Sequence, residues 1–140
     1  MPKIKVLIIG YGSIGRKYYK ILNKINLIKE IFIFTSQKNI KNSINKISQI
    51  KKTNPDIIII SNTTDKHYKY LKIINSLFKN KKILVEKPLF IKLNTLSKIQ
   101  NKIFVGYNLR LHPVIQFIKK WLNKKKLISA ELYCGSYLPD

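Results

Sequence analysis

Cysteine is almost missing from this chain. The one residue, Cys134, excludes an internal disulfide and suits a reducing compartment, so a cytoplasmic protein is expected. No apolar stretch approaches the ~20 residues of a membrane span, and no membrane partner is expected. The apolar run behind Lys3 and Lys5 is too short for a signal peptide, lacks a small-residue cleavage site and runs into glycines. Arginine is nearly as rare as cysteine: 26 of the 28 basic residues are lysine, leaving Arg16 and Arg110. A formal charge of +22 raises nucleic acid as a partner. The lysines, however, are spread along every helical stretch instead of forming one tract. Lys, Ile and Asn together approach half the chain and share A/T-rich codons, so genomic base bias is the simpler cause. No specific nucleic-acid partner is expected, only weak, salt-sensitive adhesion to polyanions. Internal repeats and flexible linkers are also missing, and no metal ligands are assigned. The 140 residues suffice for one domain with a proper core but are short for a two-domain enzyme.

What is present is concentrated at the start, MPKIKVLIIGYGSIGR. Ile4 and Val6 to Ile9 form a β-branched, almost wholly apolar run, as expected of a central parallel strand covered on both faces. Gly10-Tyr11-Gly12-Ser13-Ile14-Gly15 then spells G-x-G-x-x-G, and Ile14, Tyr18, Ile21, Leu22 and Ile25 recur at helical spacing. In a dinucleotide-binding unit, Gly10 makes the tight turn, Gly12 lets backbone approach a pyrophosphate, and Gly15 lets helix pack on strand. The helix N-terminus then meets the phosphates with its unpaired N–H groups.

Glu30 to Thr35 reads as the second strand. Its end carries Thr35-Ser36-Gln37-Lys38, with no carboxylate where an NAD-binding unit uses one to grip the ribose 2′-hydroxyl. Two hydroxyls and a lysine suit a 2′-phosphate better, so the reading leans to NADP over NAD, although Ser36 could equally be a helix N-cap. Ile40, Ile44 and Ile47 predict a helix over 37–51, with hardly room for a further strand, so the first half of the fold is expected to be abbreviated. Asp56 to Ser61 is another buried strand, opening into Ser61-Asn62-Thr63-Thr64-Asp65-Lys66-His67 and a helix bearing Tyr68, Leu71, Ile74, Leu77 and Phe78. Ligands of open α/β sheets sit off the carboxyl ends of strands, which puts Ser61 to Thr63 near a passing ribose or nicotinamide. Capping by Thr64 or Asp65 is the competing account. Lys82 to Glu86 is the next strand, ending at Glu86-Lys87-Pro88, where proline stiffens the chain around a lysine able to polarise a carbonyl or hold a hydroxyl. A short helix with Leu93, Leu96 and Ile99, a strand Ile103 to Tyr107, a helix with Val114, Phe117, Ile118, Trp121 and Leu122, and a strand Leu127 to Tyr133 complete the reading.

Together, Gly10-x-Gly12-x-x-Gly15, Asn62 to His67, Glu86-Lys87-Pro88 and Gly106-Tyr-Asn108-x-Arg110-x-His112-Pro113 resemble the N-terminal half of the Gfo/Idh/MocA oxidoreductases. The resemblance implies a Rossmann-type doubly wound parallel sheet with helices on both faces. It divides the chain into an NAD(P)-binding domain at 1–122 and, at 123–140, the first strand of a truncated second domain. It further implies that Gly10, Tyr11, Gly12, Ser13, Ile14 and Gly15 hold the pyrophosphate and that Thr35, Ser36 and Lys38 hold the adenosine ribose. Ser61, Asn62, Thr63 and His67 serve the nicotinamide side. Glu86 and Lys87 lie beside nicotinamide and substrate, with Lys87 the catalytic or orienting group, and Asn108 and Arg110 line the substrate cleft. The implied reaction passes a hydride between nicotinamide and a sugar, nucleotide-sugar or cyclitol carbon, the cofactor supplying the redox chemistry.

Family members continue into a second domain that supplies much of the substrate wall, and this chain departs from them by stopping at Asp140. The closing Gly-Ser-Tyr-Leu-Pro-Asp hints at nucleotide-linked or cell-surface sugars. A last strand without a neighbour would invite self-association. Two further readings are a non-catalytic dinucleotide-binding or partner-binding fragment and a basic nucleic-acid-associated protein. A methyltransferase ranks low, because the second strand lacks the acidic residue for the ribose hydroxyls.

Overall fold

A computed structural model of the chain describes residues 3–133 and Gly135. The described residues fall into two compact units, one ending at Tyr107 and the other beginning at Asn108. In the first, β1 (Ile4–Ile9), β2 (Ile28–Phe34), β3 (Ser43–Ile44), β4 (Ile57–Ile60), β5 (Lys82–Val85) and β6 (Lys102–Val105) form one sheet in the order β3-β2-β1-β4-β5-β6. Every neighbouring pair is parallel. Helices α1 (Ser13–Leu22), α2 (Ile47–Thr53) and α3 (Thr64–Leu77) follow β1, β3 and β4.

Successive side chains of a strand point to opposite faces, so the apolar runs supply two cores. Val6 and Ile8 meet Ile31, Ile33 and Ile59 on one face, with Tyr18 and Leu22 of α1 packed against them. On the other face Leu7, Ile9, Ile58, Ile60, Ile83 and Val85 pack with Ile50 of α2 and Leu71 and Ile74 of α3. Each such side chain, fully buried, contributes about 1.5–3 kcal/mol. The expected doubly wound sheet is therefore present, with β1 at its centre.

Parallel pairing brings all the carboxyl ends to one edge. The ladder continues one residue past each strand: Gly10 N–H donates to Phe34 O, Thr35 to Ile44 O, Ser61 to Ile9 O, Glu86 to Ile60 O and Gly106 to Val85 O, at 2.8–3.0 Å. Residues from five segments thus stand side by side although the chain separates them widely.

Three expected elements differ. The helix expected over 37–51 is instead a loop, the two-residue β3 and the seven-residue α2. Asn39 and Asn42 take left-handed backbone angles (φ 60° and 56°) that end any helix there, and Ile44 pairs with Phe34 of β2 instead of facing a helical stripe. A third strand and a second helix both fit, in reduced form. The segment carrying Leu93, Leu96 and Ile99 is irregular. Leu93 and Ile99 are exposed, and side chains hold the backbone: Asn75 donates to Lys98 O at 2.5 Å, and its Oδ1 accepts from Gln100 N–H at 3.1 Å. The stretch 127–133 forms no strand. Alternation marks a residue pattern, but a strand requires a ladder partner, and among the described residues this stretch has none.

The second unit has a 3₁₀ turn at Asn108–Leu111 and α4 (Pro113–Leu122), the expected helix. Pro113 opens α4, and the His112 ring Nδ1 accepts from Val114 N–H at 3.3 Å. Cys134 and the closing residues 136–140 lie outside the described residues, and with them the hint drawn from that ending. No helix among the described residues is long and apolar enough to cross a membrane.

Candidate functional site

The strand order reverses between β1 and β4, and a crevice opens there beyond the carboxyl ends. It is a cleft of about 520 Å³ whose wall includes Gly10 to Ile14, Thr35 to Gln37 and Ser61 to Thr63. Its size falls within the range of ordinary ligand pockets.

Two glycines shape the floor. Gly10 has φ +95°, and a Cβ there would lie 2.6 Å from the backbone of Asn62, so turn and close approach both demand glycine. A Cβ on Gly15 would fall 2.1 Å from Gly10 O and 3.1 Å from Ser61 Oγ. Gly15 therefore serves the packing of α1 on the turn and does not line the cleft.

Gly12 is different. Its backbone is extended (φ −76°, ψ −163°), open to any residue, and a Cβ would meet no protein atom within 4 Å. Neither conformation nor packing requires glycine here, and the space in front of it belongs to the cleft. Gly12 also precedes α1, which has no side-chain cap and no acidic residue in its first turn. No acidic side chain lines the cleft among the described residues, whereas Lys66 does. A group with a pyrophosphate fits that combination of unpaired N–H donors, open backbone and absent carboxylates.

Asn62 supplies a second sign of fit. Its side-chain nitrogen and oxygen are both buried and have no hydrogen-bond partner, while the residue lines the cleft. Unpaired buried amides are costly, and a ligand bearing donors and acceptors would satisfy this one. Ser61, by contrast, uses its hydroxyl on Gly10 O at 3.1 Å, bracing the turn.

At the β2 end, Gln37 was not singled out by the sequence reading but closes the rim. Its N–H donates to Thr35 Oγ1 at 3.2 Å, its side-chain amide donates to Tyr11 O at 3.1 Å, and its Oε1 accepts from Arg16 at 3.2 Å. Lys38 does not line the cleft. Phe34, Asn45, Lys66 and Tyr70 line it and were also missed. Polarity at a strand end and the first turn of α3 pointed to Lys66, but no local pattern marked the others.

His67, read as cofactor-facing, is 1% exposed and lies outside the cleft wall. Its Nε2 is 2.9 Å from Asn62 O and its Nδ1 3.0 Å from Pro88 O. It thus ties the loop after β4 to the loop after β5. Neighbouring Asp65 is held below the usual carboxylate range, first by a hydrogen bond from Thr63 and then by the charge of Lys66.

Glu86 and Lys87 follow β5, one strand beyond Ser61, and do not line the cleft wall. The Tyr18 hydroxyl, reaching across from α1, donates to Glu86 Oε1 at 2.5 Å, and Lys87 N–H donates to Oε2 at 3.3 Å. Burial, then this bond and the carboxylate charge, push the Tyr18 phenol above its ordinary range. A Cβ on Gly106 would meet the Glu86 carboxylate at 3.0 Å, so the carboxylate rests against bare backbone at the end of β6. The Lys87 side chain is exposed, and its bond to Pro88 is cis. Asn108 and Arg110 belong to the 3₁₀ turn of the second unit, where the Gln116 amide donates to Arg110 O.

A β1-turn-α1 unit at the reversal of a parallel sheet, with an acid-free cleft along it, defines a Rossmann-type dinucleotide-binding domain. The family model of the Gfo/Idh/MocA oxidoreductases, described as an oxidoreductase family with an NAD-binding Rossmann fold, matches residues 4–103, and the chain belongs to that family. A search of curated proteins finds no match. Among solved structures, scyllo-inositol dehydrogenase from Lactobacillus casei with bound NAD(H) and scyllo-inositol aligns with TM-score 0.71 and 15% identity, over 87% of this chain and 41% of that one. Myo-inositol 2-dehydrogenase from Lactobacillus plantarum aligns with TM-score 0.69 and 18% identity, over 86% and 41%. UDP-N-acetylglucosamine 3-dehydrogenase from Acidithiobacillus ferrooxidans aligns with TM-score 0.59 and 16% identity, over 86% and 44%. The chain spans about two fifths of the length of these proteins, and the likeness is one of fold.

Proposed function

We propose that this chain is the NAD(P)-binding domain of an oxidoreductase acting on a sugar, nucleotide sugar or cyclitol, with residues 123–140 beginning its substrate domain. The observation that carries this reading is Gly12: glycine without a conformational or packing need, facing an acid-free cleft at the sheet's reversal. Gly12 and Ser13 would take the pyrophosphate, Thr35 and Ser36 the adenosine ribose, and Asn62 and Thr63 the polar groups of the nicotinamide half. Bound nicotinamide supplies the hydride acceptor or donor. The protein aligns it and keeps Lys87 at the neighbouring strand end, where its ammonium would give a proton to the substrate oxygen as a carbonyl is reduced, and its neutral amine would take the hydroxyl proton as an alcohol is oxidised. Glu86, gripped through both oxygens, sets the backbone that carries Lys87. The substrate class rests on family membership and on what the inositol and nucleotide-sugar dehydrogenases of like fold act on.

The test is a titration of the 140-residue protein with NADPH and with NADH at physiological salt, read by nicotinamide fluorescence, with Gly12→Asp and single-stranded DNA as controls. Saturable binding, lost in Gly12→Asp and unaffected by DNA, is expected. A folded sample that binds neither nucleotide would refute the proposal, and displacement by DNA would favour a polyanion-binding role.

A further inference from the structure

The cation at the β2 rim is Arg16, and we infer that it, not Lys38, discriminates between the two nicotinamide dinucleotides by pairing with a ribose 2′-phosphate. This rests on the dinucleotide reading above and specifies one end of the same site.

The geometry is that of a guanidinium held beside an acid-free rim. Arg16 stands one turn into α1, its guanidinium carbon 5.7 Å from the centre of the Tyr11 ring and one nitrogen 3.2 Å from Gln37 Oε1. Tyr11 and Gln37 both line the cleft, so Arg16 is held between two wall residues at the end where Thr35 and Ser36 close β2. A guanidinium carries five N–H donors in a rigid fork, and the bond to Gln37 occupies one of them. That fork matches the oxygens of a phosphate, and its place over the Tyr11 ring helps to hold it at the rim.

Charge settles the direction of selectivity. A carboxylate at this rim would pair with Arg16 and repel a 2′-phosphate. Here the residue that engages Arg16 is the neutral Gln37, and the wall holds no acidic side chain among the described residues. Gln37 orients the guanidinium without neutralising it. The Thr35 hydroxyl oxygen accepts from the Gln37 backbone at 3.2 Å, which keeps the turn tight under the rim. Neither Arg16 nor Lys38 belongs to the cleft wall itself, but Arg16 is held by two wall residues, whereas the flexible ammonium of Lys38 has no such clamp. In a chain with 26 lysines and two arginines, an arginine occupies the position where a bidentate fork is useful.

The experiment compares wild type, Arg16→Gln, Arg16→Lys, Gln37→Glu and Lys38→Gln, each titrated with NADPH, NADH, 2′,5′-ADP and 5′-AMP at physiological salt. Wild type should favour NADPH over NADH, and 2′,5′-ADP over 5′-AMP, by about tenfold or more, as a charge-assisted contact would give. Arg16→Gln should bring both ratios to about twofold or less while leaving NADH affinity within about twofold. Arg16→Lys should retain part of the preference, Gln37→Glu should invert it, and Lys38→Gln should leave it unchanged. A wild type that binds both nucleotides equally, or an Arg16→Gln ratio equal to that of wild type, overturns this inference while the cofactor-domain reading stands. A folded wild type that binds none of the four removes both.

Discussion

Alanine at Gly12 and at Gly15 should separate what the glycine turn does for the ligand from what it does for the fold. At Gly15 the added methyl would lie 2.1 Å from Gly10 O, a backbone atom that cannot swing away, and 3.1 Å from Ser61 Oγ. Overpacking of this kind costs about 1–3 kcal/mol, partly offset by about 1 kcal/mol of helix propensity gained on replacing glycine. Because the nearest atom is backbone, the clash falls at the upper end of that range and the expected net loss is ~2 kcal/mol, a melting point lower by about 8–16 °C at the 4–8 °C per kcal/mol of a unit of this size. At Gly12 the methyl would enter open space from an extended backbone, so stability should change by no more than ~0.5 kcal/mol. A ligand filling that space would collide with it, weakening binding about 5- to 150-fold by the same overpacking cost. The assay is a thermal melt of each variant with and without NADPH at 100 times its dissociation constant, where wild type gains ~2.7 kcal/mol. Gly12→Ala should melt like wild type without nucleotide and gain much less from it, while Gly15→Ala should melt early. A Gly12→Ala protein that keeps the full nucleotide shift, or a Gly15→Ala protein as stable as wild type, would refute the division of roles.

Asn62→Leu removes two unpaired buried polar atoms, so the apo protein should be as stable as wild type or about 1 kcal/mol more stable, while its nucleotide affinity falls; melts with and without NADPH check both signs. His67→Leu should cost about 1–3 kcal/mol, because the ring that ties two loops together is lost and whichever of the Asn62 and Pro88 carbonyls accepts its N–H is left without that donor; urea unfolding measures it. The Tyr18 phenol titrates above its ordinary value of 10.0 in the folded chain. Its contribution to stability is therefore fully present below that pH and is lost as pH rises toward the folded pKa. Tyr18→Phe should unfold with a shallower pH dependence above about pH 10; identical slopes would argue against the Glu86 bond.

Local pattern was enough to identify β1, β2, β4, β5, β6 and α1, α3, α4, because apolar runs of four to seven residues and helical stripes each declare their own period. It failed between 37 and 51, where isoleucines spaced like a helix were overruled by the left-handed turns at Asn39 and Asn42. It failed again at 93–99, where Leu93 and Ile99 stay exposed and only Leu96 packs on the core, and at 127–133, which has no ladder partner among the described residues. At the site, the glycine turn and the polar loop at 61–63 were legible because their chemistry is contiguous. Gln37, Asn45 and Tyr70 were not, and neither was the bond from Tyr18 to Glu86, whose residues lie 68 positions apart.

Sequence by itself determined the kinds of elements, their order and the glycine turn, since these follow from periodicity and backbone freedom over a few residues. Tertiary structure alone decided which polar groups converge. Parallel pairing in the order β3-β2-β1-β4-β5-β6 set the strand ends side by side. Only then did Gly12 face empty space, Asn62 lose its partners, His67 become a buried tie and Arg16 meet Gln37 at the rim.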